Sequence, residues 1–60
     1  MAATFELYKD KSGEFRWRLV HQNGQIIADS SEGYTTKDNA ENGINSVKVN
    51  APGAPIEDLT

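Results

Sequence analysis

The sequence contains no cysteine and a single histidine, His21, among its 60 residues. The missing cysteines exclude disulfides and thiolate metal sites, and one histidine argues against a protein-built zinc site, so we expect neither metal nor cofactor. A domain of this length buries only about 60% of the surface of its unfolded chain. Because small domains gain stability from disulfides, metals or partner chains, these absences favour self-association.

Basic residues and long apolar runs are also scarce. Six basic residues stand against nine acidic ones, giving a net charge of −3 and disfavouring a nucleic-acid partner, whose phosphates need a basic surface. No apolar run approaches the ~18 residues of a membrane span. The opening MAATFELYKD lacks the basic and apolar pattern of a signal peptide. We therefore expect one domain over residues 1–60, in a cytoplasmic protein with no membrane partner.

Two segments alternate between apolar and polar residues, which is typical of strands with one buried face. They are TFELYK (4–9) and EFRWRLVH (14–21). If the strands pair so that Leu7 lies opposite Trp17, then Glu6 lies opposite Arg18. Apolar and charged residues are then kept on separate faces of the hairpin. This register leaves the three-residue loop KSG (11–13), whose glycine suits a left-handed conformation.

The Asn-Gly pair at 23–24 predicts a second hairpin with a two-residue type I′ turn. This turn pairs Val20 with Ile27 and makes residues 25–30 the third strand of an antiparallel meander. One face of the meander, the inner face, is then apolar and must be covered. Its predicted residues are Phe5, Leu7, Phe15, Trp17, Leu19, Ile26 and Ala28.

A helix is predicted after the third strand. Thr36 suits its N-cap, and apolar residues recur at helical spacing to about residue 49. The stretch NAPGAP (50–55) ends the helix because two prolines and a glycine cannot continue it. Ile56 and Leu59 then indicate a short fourth strand or an extended tail. The order β-β-β-α-β predicts an α+β fold, a three-stranded antiparallel meander with one helix packed on its apolar face and a C-terminal strand.

The predicted helix is made largely of poor helix formers. The stretch NAENGINSVK (39–48) holds three asparagines, a serine and a glycine. Its apolar face comprises Ala40, Gly43, Ile44 and Val47. We interpret Gly43 as a packing device that lets the helix approach the rings of Phe15 and Trp17. On this interpretation, the helix forms only because it packs on the sheet beneath it.

Four stretches carry a resemblance to a known family: FELYKDKSGEFRWRL, NGQIIADSSEGY, ENGINSVKVNAP and IEDLT. They resemble the YegP-like family of small proteins, whose function is unknown, and the likeness covers nearly the whole chain. The resemblance implies β-β-β-α-β units that occur in pairs, in tandem or on two chains, sharing one sheet and exchanging C-terminal strands. For a chain with one unit it implies a homodimer. Residues 50–60 would form an arm that carries Ile56 and Leu59 onto the partner.

Candidate sites lie on the opposite, outer face of the sheet. The candidate partner-contact residues are Tyr8, Arg16, Arg18, Val20 and Ile27. They predict a surface for an unknown protein partner or, as an alternative, for nucleic acid or a nucleotide stacked beside the arginines. His21 stands beside the Asn-Gly turn without other catalytic groups, so an enzyme with a site at the dimer interface is the least favoured alternative. We predict a non-enzymatic interaction or structural module without catalytic, cofactor or metal residues.

Overall fold

The structure, a computed structural model, describes residues 2–60. Its elements are β1 (Ala3–Lys9), β2 (Phe15–His21), β3 (Ile26–Asp29) and α1 (Lys37–Asn50), followed by a 3-10 turn at Ala51–Gly53. The strands form one antiparallel sheet in the order β1-β2-β3, and β3 is shorter than the segment 25–30 predicted for it. The predicted α+β meander with one helix is confirmed.

The first hairpin has the register that the apolar alternation predicts. Leu7 pairs with Trp17 across β1 and β2. The backbone N–H of Asp10 donates to the carbonyl of Glu14 at 2.9 Å and closes the expected three-residue loop. The last loop residue, Gly13, has a φ of +88°, which glycine adopts without the steric cost that a side chain would add.

The second hairpin does not use the predicted two-residue type I′ turn. The backbone N–H of His21 donates to the carbonyl of Gln25 at 2.8 Å, leaving a three-residue loop at 22–24. A type I′ turn needs positive φ at both central residues, but only Gly24 has one, at +92°. The side-chain oxygen of Asn23 accepts the N–H of Gln25 at 3.0 Å, a local hydrogen bond that supports the longer loop.

The longer loop shifts the pairing of β3 near the turn. Val20 pairs with Ile26 rather than with Ile27 as predicted, while Leu19 still pairs with Ala28. Ile27 is the extra residue between them, as in a β-bulge. Because paired residues share a face, Ile26 lies on the side of Val20, and its assignment to the inner face was wrong. Ile26 is 61% exposed.

Helix α1 begins at the predicted N-cap. Thr36 Oγ1 accepts the backbone N–H of Asn39 at 3.1 Å. Among residues 2–60, no helix combines the length and the apolar character that crossing a membrane requires. In the described part of the chain, α1 packs on β1 and β2 but not on β3. The core is accordingly small, and Trp17 and Ala40 are the only buried residues there, at 5% and 0% exposure.

The chain beyond α1 forms no strand in the described residues. After the 3-10 turn, residues 54–60 lie in neither helix nor strand, so the extended tail is observed in place of the short fourth strand. Thr60 hydrogen-bonds to Asp58, which is a contact within the tail itself. Ile56 and Leu59 are 96% and 84% exposed. The arm therefore adds almost no apolar burial to its own chain.

Candidate functional site

The outer face brings three of the five predicted contact residues together. Tyr8 pairs directly with Arg16 across β1 and β2. Arg18 Cζ lies 4.6 Å from the centre of the Tyr8 ring, a distance at which the ring attracts a cation. The outer face thus has a compact aromatic and cationic centre.

Both arginines of this centre are already paired with carboxylates of the chain. Arg18 Nε donates to Glu6 Oε1 at 2.7 Å, and Arg16 Nε donates to Asp10 Oδ2 at 2.6 Å. These hydrogen bonds raise the pKa of each arginine. Because the guanidinium charges are neutralised within the chain, the outer face attracts phosphate groups less than two free arginines would.

Arg16 and Asp10 also connect two loops. Asp10 Oδ1 accepts the backbone N–H groups of Ser12 and Glu14 at 2.9 and 3.0 Å. Arg16 Nη1 donates to the carbonyl of Ser31 at 3.1 Å, in the loop between β3 and α1. Ser31 has a φ of +57°, which is uncommon for a residue with a side chain. Arg16 is therefore a structural brace between the first turn and the loop that leads to the helix.

Asparagine in place of Asp10 is expected to destabilise the protein at neutral pH but not in acid. The hydroxyl of Ser12, followed by the guanidinium of Arg16, holds the pKa of Asp10 well below its usual range. A lowered pKa contributes stability that is present above the unfolded value of about 3.9 and is lost as the pH falls through the folded value. Urea unfolding of the wild type and Asp10→Asn should therefore differ at pH 7 and converge in strong acid.

Glu41→Gln, at an exposed position of α1, is the matched control for the loss of one carboxylate. It should unfold like the wild type at both ends of the pH range. Equal stability of Asp10→Asn and the wild type at pH 7 would contradict the bracing role of this carboxylate.

An apolar strip borders the arginine pairs on the outer face. Val20 and Ile27, the other two predicted contact residues, belong to it, and the corrected pairing adds Ile26. Both isoleucines are exposed, whereas Val20 is partly buried. The candidate contact surface therefore combines neutralised charge with exposed aliphatic side chains, a composition typical of protein interfaces rather than of phosphate sites.

Two grooves lie where α1 crosses β1, and we call them the β1–α1 grooves. The first has a volume of about 460 Å³ and is lined by Leu7, Tyr8, Lys9, Phe15 and Lys37. The second has a volume of about 430 Å³ and is lined by Ala3, Thr4, Phe5, Leu19 and Lys48. We did not single out these lysines from the sequence. One signal was present, because Lys37 and Lys48 are eleven residues apart and fall on one side of a helix after three turns.

The one histidine has a local role in the second turn. His21 Nδ1 accepts the backbone N–H of Asn23 at 3.2 Å. Across the described range 2–60, no three His, Cys, Asp or Glu side chains cluster so that they could hold a metal ion. The two arm residues, Ile56 and Leu59, do not reach the sheet of their own chain. Both are exposed.

Proteins with similar sequences carry the name UPF0339. One from Mesorhizobium japonicum is 52% identical over 58 residues, which cover 97% of this chain and 97% of that protein. Another, from Stutzerimonas stutzeri and named for the 5′ region of the ptx operon, is 58% identical over 52 residues. These residues cover 87% of this chain but only 46% of the S. stutzeri protein.

A solved structure has the same fold. The NMR solution structure of a protein from Haloferax volcanii is 53% identical to this chain, with a TM-score of 0.88 and 95% of each chain covered. A family model described as "Domain of unknown function (DUF1508)" matches residues 10–58. The chain therefore belongs to the DUF1508 family of UPF0339 proteins, the YegP-like family of unknown function that its sequence resembles.

Proposed function

We propose that the chain is a non-enzymatic interaction or structural module that acts as a cytoplasmic homodimer. The observation that carries this proposal is how little apolar surface one chain buries. Only Trp17 and Ala40 are buried among residues 2–60. The large apolar residues left exposed are Ile26, Ile27, Val49, Ile56 and Leu59. Such exposure favours a protein partner, and a second copy also supplies the burial that a domain of this size lacks.

Chain lengths among the relatives support the pairing of two units. The match to this chain accounts for 46% of the S. stutzeri protein. The rest of that protein is therefore long enough to hold a second unit of the same size. A chain with two units would make within one polypeptide the contacts that a homodimer makes between two.

The arm, residues 50–60, is the segment that we propose to be exchanged between the two chains. Pro52 and Pro55 restrict its backbone where it leaves the helix, so less conformational entropy is lost when the arm docks. Strands β1 and β3 are both edge strands, and the free edge of a sheet accepts extended segments from other chains. Docking of the arms carrying Ile56 and Leu59 would join the two sheets into one assembly.

The outer face is the proposed surface for a further protein partner, through Tyr8, Val20 and Ile27. Nucleic-acid or nucleotide binding there is less well supported, because Arg16 and Arg18 would have to leave the carboxylates that now neutralise them. An enzyme with a site at the dimer interface is supported least, because the single histidine is engaged in a turn.

Serine at both Ile56 and Leu59 is expected to convert the homodimer into monomers. In a single chain both residues are exposed, so their replacement would leave a monomeric protein nearly unchanged. In a dimer with docked arms, each substitution would remove about 1.5–3 kcal/mol of the free energy gained by burying an apolar side chain. The dissociation constant should rise by at least about 100-fold, which sedimentation equilibrium over a dilution series would measure.

Ala54→Ser, on the same exposed segment, is the matched control and should dissociate like the wild type. A wild-type chain that is folded and monomeric at high concentration would refute the homodimer. A homodimer that is unaffected by the double substitution would instead refute docking of the arm.

A further inference from the structure

We infer that the outer face of the sheet binds a basic segment of another protein. Aliphatic side chains of that segment lie on Val20, Ile26 and Ile27, and its cationic side chains lie beside Asp29 and Glu6. The inference rests on the outer face as the proposed surface for a further protein partner. It adds the chemistry of that partner and the two contacts that select it.

The apolar part of this surface is a strip at the end of the sheet beside the second turn. Val20 pairs with Ile26 across β2 and β3, so the two side chains lie next to each other on the outer face. Ile26 is 61% exposed and Ile27 is 55% exposed. In the described part of the chain, α1 makes no contact with β3. An aliphatic side chain of a partner would therefore remove these isoleucines from water.

A row of charged residues crosses the three strands next to the strip. Arg18 lies between Glu6 on β1 and Asp29 on β3. Arg18 Nε donates to Glu6 Oε1 at 2.7 Å, whereas Asp29 belongs to neither of the two salt bridges found among residues 2–60. Asp29 Oδ1 accepts the backbone N–H of Ser31 at 2.8 Å. The second carboxylate oxygen, Oδ2, can accept a hydrogen bond from a cation.

The outer face as a whole is acidic. The strands and the two residues that flank the first turn place four acidic residues and two arginines on this side, a net charge of −2. The acidic residues are Glu6, Asp10, Glu14 and Asp29, and the basic ones are Arg16 and Arg18. A cationic partner is attracted to such a surface, whereas a second acidic surface is repelled.

This charge selects among the possible occupants of the strip. A second copy would bring an equally acidic outer face against this one, and the chain as a whole carries a net charge of −3. The arm is disfavoured by the charges of Glu57 and Asp58, and nucleic acid is disfavoured by its phosphates. A protein segment that carries lysine or arginine beside aliphatic residues fits both parts of the surface.

The distance between the strip and the charged row sets the spacing of the partner's residues. Val20 and Arg18 are two positions apart in β2, which is about 7 Å along a strand. Alternate residues of an extended segment are separated by the same distance. A segment with an aliphatic residue and a lysine or arginine at alternate positions therefore meets the strip and Asp29 at the same time.

A synthetic peptide of Val-Thr-Lys-Thr repeats is the probe, because its extended form places valine and lysine alternately on one side. The control peptide has glutamate in place of every lysine. Both are titrated into the isotope-labelled full chain at low salt, where charge pairs are least screened. With the lysine peptide, the amide NMR signals of Val20, Ile26 and Asp29 should shift. The lysine peptide should bind at least about tenfold more tightly than the glutamate peptide.

Two variants test the two contacts separately. Asp29→Asn removes the charge but keeps an acceptor oxygen for the N–H of Ser31, so it should fold like the wild type and bind the lysine peptide about threefold less tightly. Ile26→Ser, at an exposed position, should also weaken this binding because it removes an aliphatic contact. The matched controls are Glu41→Gln and Val49→Ser, both at exposed positions of α1. Neither control should change the dissociation constant.

The outcomes separate this inference from the proposals on which it rests. If the glutamate peptide binds the outer face as tightly as the lysine peptide, the basic partner is overturned and the outer face stands as a protein surface. If Asp29→Asn and Ile26→Ser bind the lysine peptide like the wild type, the assigned contacts are overturned. If neither peptide shifts an outer-face amide signal, both the inference and the outer-face partner are overturned. The homodimer is tested independently, by sedimentation.

Discussion

Alanine in place of Trp17 is expected to lower the free energy of unfolding by about 3–5 kcal/mol. Trp17 is the one large side chain among the residues that the structure shows as buried. Its ring meets that of Phe5 edge-on, with the ring centres 5.6 Å apart, an arrangement that stabilises beyond simple burial. Because a small domain has only a few kcal/mol of net stability, most Trp17→Ala molecules should be unfolded.

Urea unfolding followed by circular dichroism, at one fixed protein concentration, measures this loss. Trp17→Phe is the matched control, because it keeps an aromatic ring and removes the indole N–H. That N–H is buried without a hydrogen-bond partner among the described residues. An unsatisfied buried donor lowers the stability of the folded state. We expect Trp17→Phe to lower the free energy of unfolding clearly less than Trp17→Ala does. A mild effect of alanine would contradict the placement of Trp17 at the centre of the core.

Leucine in place of Gly43 is expected to destabilise the protein by about 1–3 kcal/mol, although leucine favours helix more than glycine by about 1 kcal/mol. A Cβ atom at this position would lie 2.7 Å from Tyr34 Oη and 3.1 Å from Trp17 Nε1. Both distances are shorter than ordinary contacts, so either the helix or the rings must move. Asn42→Leu, at the neighbouring exposed position, also gains helix propensity, although less than Gly43→Leu does. It introduces no clash and should be neutral or stabilising.

A double-substitution cycle isolates the contact that excludes a side chain at position 43. Gly43→Ala should be destabilising in the wild type, because the methyl group meets the Tyr34 hydroxyl first. Removing that hydroxyl with Tyr34→Phe should make Gly43→Ala less costly. Equal costs in the two backgrounds, or a stabilising Gly43→Ala in the wild type, would contradict the close approach of the helix to these rings.

The pairing of β1 with β2 was predictable because two independent local signals agree on it. Apolar alternation keeps both faces uniform only when Leu7 faces Trp17, and the same register leaves a loop that ends in glycine. Both signals depend on residues close together in the chain, and both are confirmed. The N-cap at Thr36 was predictable for the same reason, since a cap satisfies N–H groups within the first helical turn.

The second turn was mispredicted because an Asn-Gly pair fits two loop lengths. Asn23 can occupy a left-handed turn position, but it can also accept a local hydrogen bond, and in this protein it does the latter. Which of the two loop lengths forms depends on the strands that the loop joins. The choice moved Ile26 to the outer face and left Ile27 without a direct partner.

The candidate contact surface was predictable in composition but not in electrostatics. Side chains of a strand alternate, so Arg16 and Arg18 had to share a face. The facing of Glu6 with Arg18 followed from the register. Arg16 instead pairs with Asp10 in the turn and reaches the carbonyl of Ser31, fifteen positions along the chain. That contact depends on where the loop before the helix lies, which no periodicity encodes.

By itself, the sequence determined the order of the three strands and the helix, the first hairpin and the start of the helix, because these follow from side-chain spacing and from turn and cap chemistry. Only the tertiary structure decided which apolar positions are covered. Helix α1 lies over β1 and β2, close to the rings of Trp17 and Tyr34 at Gly43. It leaves β3 bare and lines two grooves with lysines. Helix position is a property of packing between distant side chains, so it emerges only when the whole chain is folded.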